Sequence, residues 1–312
     1  MFGLAAAHPD EQFYFHYRSH RMLRSFRDAL PANAHRRLLL GAPSADIFHA
    51  LNQRVDARAK RTITTFHDLF VLTGEYSTAE FRARFAAQAR EAAECSDRII
   101  AVSNFTARQV QDLLNIEKSR ISVIPHGVDA VPALPGERTK TILFTGAIQT
   151  RKNVARLVRS FEQVPDGWKL VLAGAADGYG AAEELAAVEA SSRRSDIQVL
   201  GYVSRSELDA LYAQAAIFAF PSLDEGFGMP ILEAMANGVA VVTSNLSAMP
   251  EVAGDAALLV DPRDEESIGD ALVRLTADES LREQLGIAGR VRAAEFTWDR
   301  AVRSTWSAYE AL

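Results

Sequence analysis

The chain has 312 residues, 48% of them apolar and 24% charged, with a net charge of −6. That balance suits about two globular domains and excludes a disordered or collagenous chain, while a single cysteine, Cys95, excludes an internal disulfide framework. There is no charged-then-apolar leader and no run of about 18 apolar residues, so a cytoplasmic protein is expected.

The charge is uneven. Residues 1–137 hold 17 Lys and Arg against 15 Asp and Glu, so the negative excess belongs to the second half. Within the first half, Arg18 to Arg61 carries ten basic residues against Asp28, Asp46 and Asp56. Met22, Leu23, Phe26, Ala29 and Leu30 recur there at helical spacing. Such a helix either covers its own sheet with a solvated charged face, the favoured reading, or makes peripheral contact with an anionic membrane at its inner face. Nucleic acid is not an expected partner, because aromatic interleaving and any recognised module are missing.

In chain order, candidate strands are Phe13 to Phe15, Leu38 to Leu40, Asp46 to Ala50, Thr62 to Phe66, Ile99 to Val102 and Ile121 to Ile124. Cys95 precedes the fifth of these with no acid–base partner nearby in sequence, and reads as a structural thiol. His67 ends the fourth; Asp68 either orients its ring or caps the following turn. Val131 to Glu137, stiffened by two prolines, reads as an interdomain linker. Beyond it, Thr141 to Phe144, Lys169 to Leu172, Ile197 to Leu200, Ile217 to Phe220, Val239 to Val242 and Ala257 to Val260 alternate with helical segments. Alternation without hairpin signals predicts a parallel sheet covered on both faces, with ligands at the C-terminal strand ends.

The densest signal is Pro221 to Gly238. Gly226 and Gly228 allow a sharp turn, Pro230 suits the first helical position of a helix from about Met229 to Asn237, and Gly238 suits its stop. A helix start at a strand end favours an anionic group such as phosphate. Glu225 and Glu233, eight residues apart, bracket that helix end, and carboxylates tolerate such a ligand only if it also brings hydroxyls. A sugar nucleotide has both. Arg151 and Lys152, after the Gly146 turn, would neutralise the diphosphate from the other side. No Asp-x-Asp and no His/Cys/carboxylate cluster has metal-ligand spacing, so no metal and no cofactor is expected. G-x-S-x-G, paired Cys-x-x-Cys and P-loop motifs are likewise missing.

Pro221 to Gly238 resembles the E-x7-E signature of the GT-B glycosyltransferases of family 4, and the likeness continues through Thr145 to Asn153, Gly201-Tyr202-Val203, Thr243 to Asn245 and Pro250 to Ala257. In the first half Phe66 to Leu69, Ala101 to Thr106 and Ile124 to Asp129 match more loosely. The resemblance implies an α/β protein of two Rossmann-like doubly wound domains facing across a cleft, residues 1–134 on the acceptor side and 138–295 binding the nucleotide sugar, with 296–312 crossing back to the first domain.

The resemblance also implies a retaining hexosyltransferase that moves a mannose-like or glucose-like residue from a GDP- or UDP-linked donor to a glycan or lipid-linked acceptor. Glu225, Lys152, Arg151 and His67 would be catalytic. Glu225 would meet donor-sugar hydroxyls, and His67 would position the donor sugar or acceptor. Glu233 would take the ribose hydroxyls, Gly146 and the turn Gly226, Phe227, Gly228, Met229, Pro230 and Ile231 would cradle the donor, and Tyr202 and Val203 would meet the base. His126 resembles a hinge position. The chain departs from the family at its start, where the usual opening strand and glycine-rich loop are expected to be absent; at Ala147, often arginine; and at Ala240, often proline. The first departure keeps open a catalytically silent module that binds sugar nucleotides or partners an intact transferase; within enzymes, a GT-B epimerase is the less favoured alternative.

Overall fold

The computed structural model describes residues 2–18, 26, 29–39, 44–132 and 138–312. The chain divides into two compact units, one of residues 1–67, 83–127 and 297–312, the other of residues 68–82 and 128–296.

In the first unit β1 (Phe13–Tyr17) and β2 (Ala34–Leu38) form a parallel pair, while β3 (Ile47–Ala50), β4 (Arg61–Phe66), β5 (Arg98–Ala101) and β6 (Ile121–Val123) form a four-stranded parallel sheet in chain order. The expected strands are therefore present, but divided between two sheets. The second strand lies earlier than its apolar run suggested: pairing of Phe13 with Ala34 and Tyr17 with Leu38 sets the register, so that Leu38 ends the strand. Leu40 falls outside the described residues, as do most of the helix expected over Met22 to Leu30 and residues 133–137 of the linker. Several described arginines of the basic segment have local partners: Arg18 and Arg54 on Asp56, both at 2.7 Å, and Arg61 on Asp97 at 3.1 Å. The helix Trp298–Glu310 adds Ala301, Ala308 and Tyr309 to a core around Ile63, Ile100 and Ile124.

The second unit contains β7 (Thr139–Thr145), β8 (Lys169–Ala173), β9 (Ile197–Gly201), β10 (Ala215–Phe220), β11 (Ala240–Ser244) and β12 (Ala257–Val260), all parallel, in the order β12-β11-β10-β7-β8-β9. All six residues of β10 are buried, as a central strand covered on both faces requires, and this explains a continuous rather than alternating apolar run. Phe220 packs between Phe144 and Phe218, each ring 5.9 Å away. The chain lays down β7, β8 and β9 in one direction, then returns past β7 to lay down β10, β11 and β12 in the other. The order reverses between β7 and β10, where a parallel α/β sheet opens a crevice at its C-terminal edge. Among the described residues, no helix is long and apolar enough to cross a membrane.

Candidate active site

Two turns meet at that reversal. After β7 the chain passes Gly146 at φ +133° and enters the short 3-10 turn Thr150–Lys152. Gly174, after β8, has no room for a side chain, because a Cβ would stand 1.9 Å from the Gly146 carbonyl oxygen. Asn153 closes the 3-10 turn in the left-handed region at φ 62°, which Asn tolerates better than most residues. Its side-chain amide donates to the carbonyls of Pro221 at 3.0 Å and Pro262 at 2.6 Å, and the Leu223 N–H donates to the Arg151 carbonyl at 2.8 Å. The turn after β7 is thereby laced to the turn after β10.

Lacing brings both expected cations onto one expected carboxylate. Arg151 Nη1 lies 2.6 Å and Lys152 Nζ 2.5 Å from Glu225 Oε1. Arg151 also donates to the Asp224 carbonyl at 3.0 Å, and its guanidinium lies over the Phe70 ring at 4.4 Å; Lys152, 6% exposed, stands 4.4 Å above Phe220. Burial pushes the Lys152 ammonium down from its usual range, with Glu225 pulling the other way. Burial pushes Glu225 up, but Lys152 and Arg151 outweigh it and hold the carboxyl below the usual range. Three buried polar atoms of this cluster have no protein partner: Arg151 Nε, Ser222 Oγ and Asp224 Oδ1. Buried polar atoms are ordinarily paired, so a polar ligand fits here.

The helix expected after the turn spans Met229–Ala236, with Pro230 as its second residue rather than its first. Of the two glycines, Gly228 takes the left-handed conformation, at φ +103°, whereas Gly226 is not among the glycines at positive φ. A Cβ on Gly228 would meet the Met249 methyl at 2.5 Å. Phe227 and Ile231 are buried, Phe227 edge-on to Phe296, so a ligand would meet their backbone and not their side chains. The Ile231 N–H is taken by the Gly228 carbonyl at 3.1 Å and Pro230 has none, leaving the Gly228 and Met229 amides as the candidates for an anion. At the other end Gly238 stops the helix at φ +69°, and Arg138 and Arg290 both donate to the Asn237 carbonyl, at 2.6 and 2.8 Å, where cations complement the dipole.

Glu233, one turn in, is held by two residues that sequence reading missed. Arg205 Nη1 donates to its Oε1 at 3.0 Å, and the buried Tyr212 hydroxyl donates to its Oε2 at 3.1 Å while standing 2.9 Å from Thr145 Oγ1. Burial, then the neighbouring Glu233 charge, raises the Tyr212 hydroxyl well above its ordinary range, so it stays a donor. No local pattern marks these partners: Tyr212 lies on the helix Arg205–Gln214 and reads there as core. Tyr202, 85% exposed, follows β9 at the sheet edge with Val203; two strand spacings, about 10 Å, separate the β7 and β9 ends.

His67 and Asp68, neighbours in sequence, belong to different units. Within the first unit His67 Nε2 donates to the Leu51 carbonyl at 2.8 Å and its Nδ1 lies 3.2 Å from His126 Nε2, so both ring nitrogens are engaged. Burial, with the adjacent His67, pushes His126 down to about 4, so His126 is neutral at physiological pH. Asp68 instead shares the second unit with the Arg151–Glu225 cluster; burial raises it to about 6 against the pull of Arg151.

The folded state thus retains a proton on Asp68 that the unfolded chain releases, so the residue costs stability as pH rises, by up to about 3 kcal/mol above pH 6. Asp68→Asn removes that cost. Relative to wild type the variant is expected to gain about 1.5 kcal/mol more at pH 8 than at pH 5, read as a difference in Tm of several degrees. Equal Tm differences at both pH values would refute it.

A crevice at a sheet reversal with paired cations and two glutamates beside it is the arrangement that the resemblance to GT-B glycosyltransferases implies. Solved structures share the fold: sucrose-phosphate synthase from Thermosynechococcus elongatus superposes with a TM-score of 0.72 at 21% identity over 85% of this chain and 73% of that one. HepE from Anabaena, solved in complex with UDP and glucose, gives 0.69 at 16% identity over 81% and 72%.

Residues 131–292 match the family model for glycosyl transferases group 1 and residues 3–131 that for Glycosyltransferase Family 4, and the chain belongs to this family. It is 32% identical over 283 residues to the O-antigen chain mannosyltransferase B of Escherichia coli, covering 85% of this chain and 74% of that protein. Other curated mannosyltransferases it resembles are longer, the chain spanning 31% to 57% of each.

Proposed function

We propose that the enzyme transfers a hexose, mannose foremost, from a GDP- or UDP-linked donor to a glycan or lipid-linked acceptor in cell-surface polysaccharide synthesis on the cytoplasmic side, with retention of configuration and without a metal ion. One observation carries this reading: Arg151 and Lys152 converge on Glu225 beside the Gly228 helix start, a fixed pair of cations whose counter-ion a diphosphate can replace. As the bond from the anomeric carbon to the diphosphate oxygen breaks, the two cations take up the growing negative charge. The acceptor hydroxyl then adds to the same face and its proton passes to the departing diphosphate. Glu225, released from the cations, meets sugar hydroxyls, and Glu233 meets the ribose. His67 positions the acceptor or donor sugar by exchanging the Leu51 carbonyl for a substrate hydroxyl. The preference for mannose rests on the likeness to the E. coli O-antigen chain mannosyltransferase.

The test is calorimetric titration of UDP, GDP and ADP into the chain, followed by transfer assays with GDP-mannose and UDP-glucose, with and without EDTA. Selective nucleotide binding and EDTA-resistant transfer are expected. Binding without transfer to any glycan acceptor would favour the silent module, and loss of transfer in EDTA would overturn the metal-free mechanism.

A further inference from the structure

The cluster around Arg151 contains a carboxylate that the donor-site reading leaves without a task. Asp224 is buried, its carbonyl already accepts from Arg151 Nη1 at 3.0 Å, and its Oδ1 has no partner. Its other oxygen, Oδ2, lies 2.6 Å from the hydroxyl of Thr73, which is itself 3.1 Å from the Phe70 carbonyl. Thr73 ends the short helix Phe70–Thr73, whose Phe70 ring underlies the Arg151 guanidinium. A single segment drawn from far upstream thus touches Arg151 through Phe70 and Asp224 through Thr73. Arg151 Nε is buried without a partner, so a second carboxylate has a donor to turn to.

We propose that Thr73 is a positioning residue for donor binding: its hydroxyl holds the Asp224 carboxylate away from Arg151, so that Arg151 has one counter-ion, Glu225, to exchange for the donor diphosphate. The inference rests on the diphosphate reading above. A hydroxyl suits the task in either charge state of Asp224. It donates to the carboxylate; if Asp224 is protonated, the hydroxyl accepts from it and turns its own proton to the Phe70 carbonyl. Burial raises Asp224, with the Thr73 bond opposing that shift.

The test is donor kinetics on the full chain. Thr73→Val keeps the shape and removes the hydroxyl; donor KM is expected to rise about 10-fold with kcat nearly unchanged, the size of losing one hydrogen bond to a charged group. Thr73→Ser is expected to behave as wild type. Adding Asp224→Asn to Thr73→Val removes the competing charge and is expected to restore KM, whereas a packing defect would persist in the double variant. An unchanged KM in Thr73→Val, or a double variant no better than the single, overturns the proposal. Asp224→Asn alone carries the test should Thr73→Val fail to fold: its donor KM is expected at or below the wild-type value, and a rise overturns the proposal. Failure of wild type to bind UDP, GDP or ADP would instead bring down the diphosphate reading itself, and this proposal with it.

Discussion

Lys152→Ala is expected to lower kcat/KM about 10²–10³-fold, with donor Kd weakened far less, since the cation matters most when charge develops on the leaving diphosphate. Several surroundings make this site intolerant. The ammonium is buried against Phe220 and paired at 2.5 Å with Glu225, and truncation to a methyl would leave Glu225 buried with Arg151 as its remaining cation. Some loss of stability should accompany the loss of rate, because a buried carboxylate that loses one of its two cations is less fully compensated. Lys152→Arg is not expected to rescue turnover, because a planar, delocalised guanidinium does not place its charge as a compact ammonium does. Steady-state kinetics with calorimetric donor Kd separates the effects. Turnover within tenfold of wild type would remove Lys152 from the chemistry.

Glu233→Ala is expected to weaken nucleotide binding about 10–100-fold, the loss of hydrogen bonds to a charged acceptor. Its geometry makes a sharper forecast possible. Arg205 and Tyr212 each hold one carboxylate oxygen, at 3.0 and 3.1 Å, fixing the plane in which a ribose diol could be accepted. Tyr212→Phe is therefore expected to weaken binding less than Glu233→Ala, because it loosens the carboxylate without removing it. Since ribose is common to UDP, GDP and ADP, Glu233→Ala should reduce affinity for the preferred nucleotide and for its weaker competitors by the same factor. A loss confined to one base, measured by competition titration, would reassign Glu233 from ribose to base.

Much of the second unit is legible in the sequence. Short apolar runs separated by helical segments are a local property and they placed all six strands, of which β10 and β11 are buried on both faces. Turn chemistry was equally local, so Gly228, Pro230 and Gly238 marked the ends of the helix Met229–Ala236 to within a residue. The first unit was less legible because its register depends on pairing: Ala34–Leu38 is a strand through its partner β1, not through its own pattern, and division into two sheets leaves no periodic trace.

The site divides along the same line. By itself the sequence determined the α/β class and the family, and it singled out Arg151, Lys152, Glu225 and Glu233 as candidates because they sit in short signatures. Tertiary structure alone decided that both cations share one oxygen of Glu225, that Tyr212 and Arg205 hold Glu233, and that His67 and Asp68 part company at a unit boundary. It alone brought Thr73, 151 residues away in the chain, onto Asp224. Local signatures record what a residue can do; which partners it meets is set by long-range packing, whose contacts join positions with no shared sequence pattern.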